Sequence, residues 1–449
     1  MKKLLSLILA AVILSGCAAA PIAEPQAAIS LAEASYPTMA PYPNEADFID
    51  PKTGIFDDEG FSQVYDAWRS NLDLQEDIPQ GYADSLLPYF QQNIPAFLDA
   101  KDENAVCSPL NICIAMAMLA EITDGDTRNE ILTLMDADSM DSLRTQAGRI
   151  WRSHYCADGA SACVLGNSLW LDNGFTYNAD TVNRLASEHY ASVFQGELGS
   201  EETNQLLRDW LNDQTGGLLK EQADNLSLDP QTALALASTI YYRAKWNHEF
   251  QAENNTEDIF HCPSGDRTVT YMNRQLTYGP YYWGDDFGAV SLALADGSRM
   301  WLILPDEGKA PADILASGHA LQLVLGDWQE TGAQKSLRVN VSLPKFDVGS
   351  DRRLDEALKS LGITSAFGHD ADFSPILSEQ EAWLDAVNHA ARVKIDEEGV
   401  EAAAYTVMAV AGAAMPPKDE MDFILDRPFL FFITSRDNLP LFAGVVNNP

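Results

Sequence analysis

The sequence predicts an α+β fold, and three observations carry that prediction. Ala233–Trp246 is apolar and rich in β-formers, as suits a strand buried on both faces. Met300–Pro305 and Val339–Phe346 read as two further strands. Leu86, Leu87, Phe90, Ile94 and Phe97 fall on one face of a helix, so helical and strand periodicities share one chain. With 449 residues, 46% of them hydrophobic, the chain is long enough for one large domain or two ordinary ones.

The net charge is −37, from 66 acidic against 29 basic residues. That excludes nucleic acid and anionic lipid as natural partners and favours solubility and basic partners. A surface adapted to an extracellular setting accounts for it more simply.

Met1–Cys17 is expected to be a targeting segment. Lys2 and Lys3 form its positive start, and Leu4–Leu14 is an apolar run too short for a settled membrane span. Leu14-Ser15-Gly16-Cys17 resembles a bacterial lipobox, which makes Cys17 the lipid-bearing residue; an ordinary signal peptide is the alternative. Several acyl chains on Cys17 would hold the protein on the outer face of the bacterial membrane. Residues 18–44, rich in alanine and proline, read as a flexible tether. Residues 45–81 are an acidic extension with helical periodicity at Phe61, Val64, Tyr65 and Trp68, and no role is assigned to them.

Cysteines 107, 113, 156, 163 and 262 remain, an odd number without a CxxC pair, so zinc spacing is absent. Cys156 and Cys163 bracket a short Asp-Gly turn and suit a bridge in an oxidising exterior, whereas Cys107 and Cys113 suit burial as small apolar residues. No metal or cofactor is expected. The seven histidines show no HExxH or HxH spacing, and neither a GxSxG elbow nor a phosphate-binding GxxxxGK loop occurs. A hydrolase whose triad assembles from distant residues stays open but has no positive support, and no catalytic residue is assigned.

Further elements follow in order: a strand at Gly166–Leu171, a helix through Tyr190, and a helix at Leu354–Leu361. No internal repeat occurs. The most informative stretch is Glu397–Met415, EEGVEAAAYTVMAVAGAAM, which has no lysine, arginine or proline. Its alternate residues form two sets. Val400, Ala402, Ala404, Thr406, Met408, Val410 and Gly412 are small or apolar and suit a core. Glu401, Ala403, Tyr405, Val407, Ala409 and Ala411 carry the charge and the ring and suit an outer face. Alanine-rich sequence makes a poor permanent strand, so the stretch is suited both to a loop and to a strand. A small-residue linker between two β segments is the plainer alternative.

Glu397-Glu398-Gly399-Val400-Glu401-Ala402-Ala403-Ala404 resembles the hinge of the reactive loop of an inhibitory serpin. Val387-Asn388-His389-Ala390 resembles the family's strand leading into that loop, and Asp426–Ile433 and Leu441–Pro449 resemble its C-terminal strands. Asn104–Leu110 with the apolar helix Ile112–Ile122, and Leu207–Leu219 with Thr215-Gly216-Gly217, are similar to earlier family elements. The resemblance runs over roughly residues 82–449. It implies a large mixed β-sheet, further β-sheets, a shell of about nine helices and an exposed loop. Three places depart from the family: Asn111 stands where serine is usual, Ser238 where asparagine is common, and Ile122-Thr123 replaces a Gly-Ala pair.

The resemblance implies a suicide inhibitor of serine proteases. The protease attacks the loop and forms an acyl-enzyme, and the cut loop then inserts into the sheet. About a dozen new ladder bonds at roughly 0.5–1.5 kcal/mol each would favour insertion by on the order of 10 kcal/mol. The inward set permits this, and the absence of proline keeps the N–H donors. A charge at Val400, the first residue to insert, would be buried unpaired. Ser238 and His389 are expected at the region where the sheet opens, His389 as a hydrogen-bonded core histidine. Family spacing places the reactive bond at Ala413–Ala414, with neighbouring registers at Gly412, Ala414 and Met415. Small residues there suit an elastase- or subtilisin-like protease, and no basic residue precedes Lys418, which disfavours trypsin-like targets. The expected form is a monomer that touches the membrane through its lipid alone. The rival from another class is a non-inhibitory serpin acting as a binding or structural module, for which the three departures argue.

Overall fold

The computed structural model describes residues 28–71, 78–79, 81–98, 103–224, 226–326, 334–377, 382–384, 387–400 and 417–449. Two sheets organise them, with strands numbered in chain order. The first, eight-stranded, contains β1 (Ile29–Ala32), β3 (Cys156–Ala157), β4 (Ala162–Asp172), β5 (Ala191–Gly196), β6 (Leu234–Lys245), β12 (Phe346–Arg353), β13 (Val387–Ile395) and β14 (Gly399–Val400). Its order is β1-β5-β4-β6-β14-β13-β12, with β3 on β4. The sheet is mixed: β4 runs parallel to β5 and β6 to β13, while β4 and β6 are antiparallel.

The second sheet has nine strands: β2 (Ala105–Cys107), β7 (Thr256–Cys262), β8 (Gly265–Trp283), β9 (Phe287–Ala293), β10 (Arg299–Pro305), β11 (Gln334–Pro344), β15 (Glu420–Ile424), β16 (Phe429–Thr434) and β17 (Pro440–Val446). β17 lies between β16 and β2, so Ala443–Val445 pair with Ala105–Cys107 across almost the whole chain. Every residue of β16 and β17 is buried.

Helices cover the sheets. They include α1 (Asp58–Arg69), α2 (Leu87–Phe97), α3 (Pro109–Ile122), α4 (Gly125–Leu134) and α5 (Met140–His154). α3 is wholly buried and, apart from Asn111 and Glu121, apolar, a core helix rather than a surface one. Ser108 caps it by accepting from the Asn111 N–H, and Pro109 occupies its first turn, where no N–H is needed.

Three expectations change. The strand expected over Val339–Phe346 is two strands that break at Lys345, because Pro344 ends β11 and β12 starts afresh in the other sheet. The tether expected over 18–44 is packed from Ile29 onward. β1 pairs with the edge strand β5, and the Tyr36 ring lies 5.4 Å from Trp151 and 5.6 Å from Tyr155. An edge strand offers unpaired backbone groups to any extended segment, so the alanine-rich composition was no barrier to pairing. Finally, Cys156 and Cys163 face each other across β3 and β4, yet both are free thiols.

Candidate functional site

The seam between β6 and β13 is closed at one end and open at the other. Val387–Ala390 pair in parallel with Leu236–Thr239. Beyond them the strands part, and β14 fills the gap: Gly399 pairs with Lys245, and Val400 pairs with Ala244 on one side and Ile395 on the other. Val400 is buried.

Glycine is required at 399. A Cβ there would sit 2.3 Å from the Ala244 carbonyl oxygen and 2.7 Å from Lys245 Cα, inside their contact distance. The turn before it is built by Asp396, whose Oδ1 accepts from the Glu398 N–H (2.9 Å) and the Gly399 N–H (3.3 Å). Backbone N–H groups of Trp246 and Phe250 donate to the carbonyls of Glu398 (2.9 Å) and Glu397 (3.0 Å), and the Trp246 indole donates to the Asp396 carbonyl (2.8 Å). Glu397 itself is held by Lys345 Nζ at 2.6 Å and by the Asn255 amide. Burial opposes its ionisation, but the Lys345 and Asn255 bonds outweigh burial and hold the carboxyl below its usual range.

At the closed end Asp355 Oδ1 accepts from the Val387 N–H at 2.9 Å, and the side chains beneath the following pairs are polar and uncharged. His389 is buried, and burial lowers its pKa to about 4, so the ring is neutral. Its Nε2 accepts from the Ser108 N–H at 2.9 Å, which leaves the proton on Nδ1, 3.4 Å from Ser238 Oγ. Asn111 donates to Ser238 Oγ (2.8 Å) and to the Thr239 carbonyl (2.6 Å), and its own Oδ1 accepts from Asn167 (3.2 Å). Two of the departures noted in the sequence are therefore one exchange: the amide and the hydroxyl have traded places between α3 and β6 and still bond to each other. The third is local. Ile122 ends α3 in the core, and Thr123 Oγ1 donates back to the Leu119 carbonyl at 2.8 Å.

The structure thus brings Glu397, Gly399 and Val400 to the open end, and Ser238 and His389 to the closed end. Glu401, Ala402, Ala403, Ala404, the reactive bond Ala413–Ala414 and the lipidation residue Cys17 lie outside the described residues. Sequence reasoning missed Lys345, Asn255 and Trp246, which grip the hinge; Pro344, which breaks the strand just before Lys345, was the available signal. Among the described residues no group of histidine, cysteine and carboxylate side chains is arranged to hold a metal.

The family model for "Serpin (serine protease inhibitor)" matches residues 92–449. The chain belongs to the serpin family. Members of this family generally inhibit serine proteases and are not enzymes. Its relatives include an uncharacterized serpin-like protein of Thermococcus kodakarensis, 29% identical over 364 residues (78% of this chain, 82% of the relative). A serine protease inhibitor of Cyanea capillata is 27% identical over 359 residues (78% and 93%). Among solved structures, the thermophilic serpin tengpin in its native state matches with TM-score 0.72 and 24% identity over 83% of this chain and 95% of that one. Thyroxine-binding globulin in complex with thyroxine matches with TM-score 0.68 and 21% identity (82% and 98%), so the serpin fold also serves proteins that carry a ligand.

Proposed function

We propose that this serpin is a suicide inhibitor of elastase- or subtilisin-like serine proteases, lipid-anchored through Cys17 at the bacterial cell surface and active as a monomer. The observation that carries this reading is β14. Gly399 and Val400 already pair between β6 and β13, so the first rungs of an inserted strand exist and later residues need only extend them. A protease that acylates itself on the loop near Ala413–Ala414 releases the tether on that strand. The small-residue inward set that follows Val400 then lets insertion outrun deacylation. The Asn111–Ser238 exchange removes the main argument for a non-inhibitory module, because the pair beneath the sheet is intact.

The test is to mix the chain from Ala18 onward with pancreatic elastase and, separately, with subtilisin, and to run both on SDS gels. A band at the summed mass, with a released C-terminal peptide starting near Ala414, is expected. Clean cleavage with no complex and full remaining protease activity would overturn inhibition of these targets and favour the binding module.

A further inference from the structure

The chain joins the first sheet at one end of its strands, and the hinge of the reactive loop lies at the other. β1 is an edge strand, and Ile29 on it is exposed. Ile29 pairs with Gln195, Gln195 with Leu171, and Leu171 with Leu234. These four residues form one row across β1, β5, β4 and β6, at the start of β6. The hinge sits near the finish of β6, where Gly399 pairs with Lys245 and Val400 with Ala244. At the rise of a strand, Val400 is about 33 Å up β6 from that row.

Cutting the loop reverses this separation. β14 runs antiparallel to β6, so each residue added after Val400 pairs one residue closer to Leu234. Continued in that register, an inserted strand brings Val410 level with Leu234 and carries Ala413 beyond it. Val410 then shares the row of Ile29, four strand spacings away, or about 19 Å. In the cut itself, the protease serine hydroxyl forms an ester with the Ala413 carbonyl as the Ala413–Ala414 amide breaks, and the proton passes to the Ala414 amine. The protease therefore rides on Ala413 and finishes beside the row at which β1 enters the sheet.

A lipid on Cys17 makes that end crowded. Only the backbone from Cys17 to Ile29 separates the anchor from β1, a reach of at most about 40 Å in any conformation. A protease of roughly 230 residues has a radius of gyration near 17 Å and is about 45 Å across. Even a fully stretched anchor segment cannot lift the domain far enough for such a protease to pass between it and a bilayer. Before the cut no such obstacle exists, because the hinge lies at the far end of the sheet. A protease embedded in the same bilayer would have to reach past the whole length of β6 to meet the loop.

We propose that the length of the segment between Cys17 and β1 limits trapping at the membrane. The anchored inhibitor offers its loop to freely diffusing proteases, and it traps them by tipping over and laying the captured enzyme against the bilayer. This rests on the inhibitory, lipid-anchored reading above. It adds the class of target, a protease arriving from the medium, and the step that anchoring slows.

The experiment places the acylated full chain on phosphatidylcholine vesicles and titrates it with pancreatic elastase, beside a variant that lacks residues 18–27. Soluble chains starting at Ala18 and at Ala28 are the controls. Both soluble chains should form the complex with equal numbers of inhibitor molecules consumed per protease. On vesicles the deletion should raise that number at least about threefold. The rate of loop cleavage should stay within about twofold, since the loop is reached from the opposite end. An unchanged ratio on vesicles, an equal rise in the soluble chains, or a fall in cleavage rate that accounts for the loss would each overturn the proposal. No complex from either soluble chain would instead sink the inhibitory reading itself. Mass spectrometry that finds Cys17 without acyl chains would remove the anchor, and the proposal with it.

Discussion

The two ends of the β6–β13 seam are held in opposite ways. At the closed end His389, Ser238, Asn111 and Ser108 are buried and neutral, and each bond joins two elements that cannot part without orphaning a polar atom. At the open end the Glu397–Lys345 pair is partly exposed, so water can replace either partner. Leaving a buried acceptor unsatisfied costs about 1–3 kcal/mol, whereas an exposed ion pair is worth about 0–1 kcal/mol. The mouth, where β14 already sits, is thus the easier end to open, and full insertion of the loop would have to part the closed end as well.

The largest expected effect is on inhibition. Val400→Glu places a carboxylate at a position buried in the sheet, where losing its hydration is costly. The protein should still be cleaved but should trap protease poorly, raising the number of inhibitor molecules consumed per protease at least about tenfold (a loss of about 1.4 kcal/mol or more in partitioning). Active-site titration after mixing reads this directly. An unchanged ratio would mean that Val400 is not the leading residue.

The closed end can be broken with acid. The folded pKa of His389 is about 4, below the unfolded value of about 6.5. As pH falls, the unfolded chain takes up this proton first. Stability from a neutral His389 is thus full above about pH 6.5 and lost as pH falls towards 4, by roughly 3 kcal/mol. Urea melts over this range should show that slope, and His389→Gln should lack its share of it.

A smaller effect tests the exchange. Asn111→Ser and Ser238→Asn should each destabilise by about 1–3 kcal/mol, because each leaves a mismatched pair in a buried site. The double variant should recover most of the loss, which a double-mutant cycle measures as coupling. If the losses simply add, the two positions are independent. The smallest effect belongs to the mouth. Glu397→Gln should cost under about 1 kcal/mol, and the difference should shrink at high salt. Thermal melts at two ionic strengths would check it.

How legible each end was in the sequence follows the same division. The alternation after Gly399 was readable because it is local: a strand shows its two faces every second residue. The central strand at Ala233–Trp246 was readable for the same reason. The grip on Glu397 was not, since Lys345 and Asn255 come from other parts of the chain and only the fold brings them together. Asn111 and Ser238 each read as a defect, because a compensating exchange is visible only when both ends of the bond are seen. β1 was hidden differently. Its pairing uses backbone groups alone, and its side chains remain largely exposed, so composition held no trace of it.

The position of β17 also dictates when the molecule can become itself. The strand that closes the second sheet follows the other strands of both sheets in the chain, and it is the one that joins β16 to β2. Until Pro440–Val446 has emerged, Ala105–Cys107 and the edge of β16 away from β10 lack their ladder partner. The growing polypeptide must therefore keep two adhesive edges apart until Pro440–Val446 has emerged, and this sheet cannot be completed before then. Chains released early, short of Pro440, would carry those edges unpaired and would be the species prone to join one another.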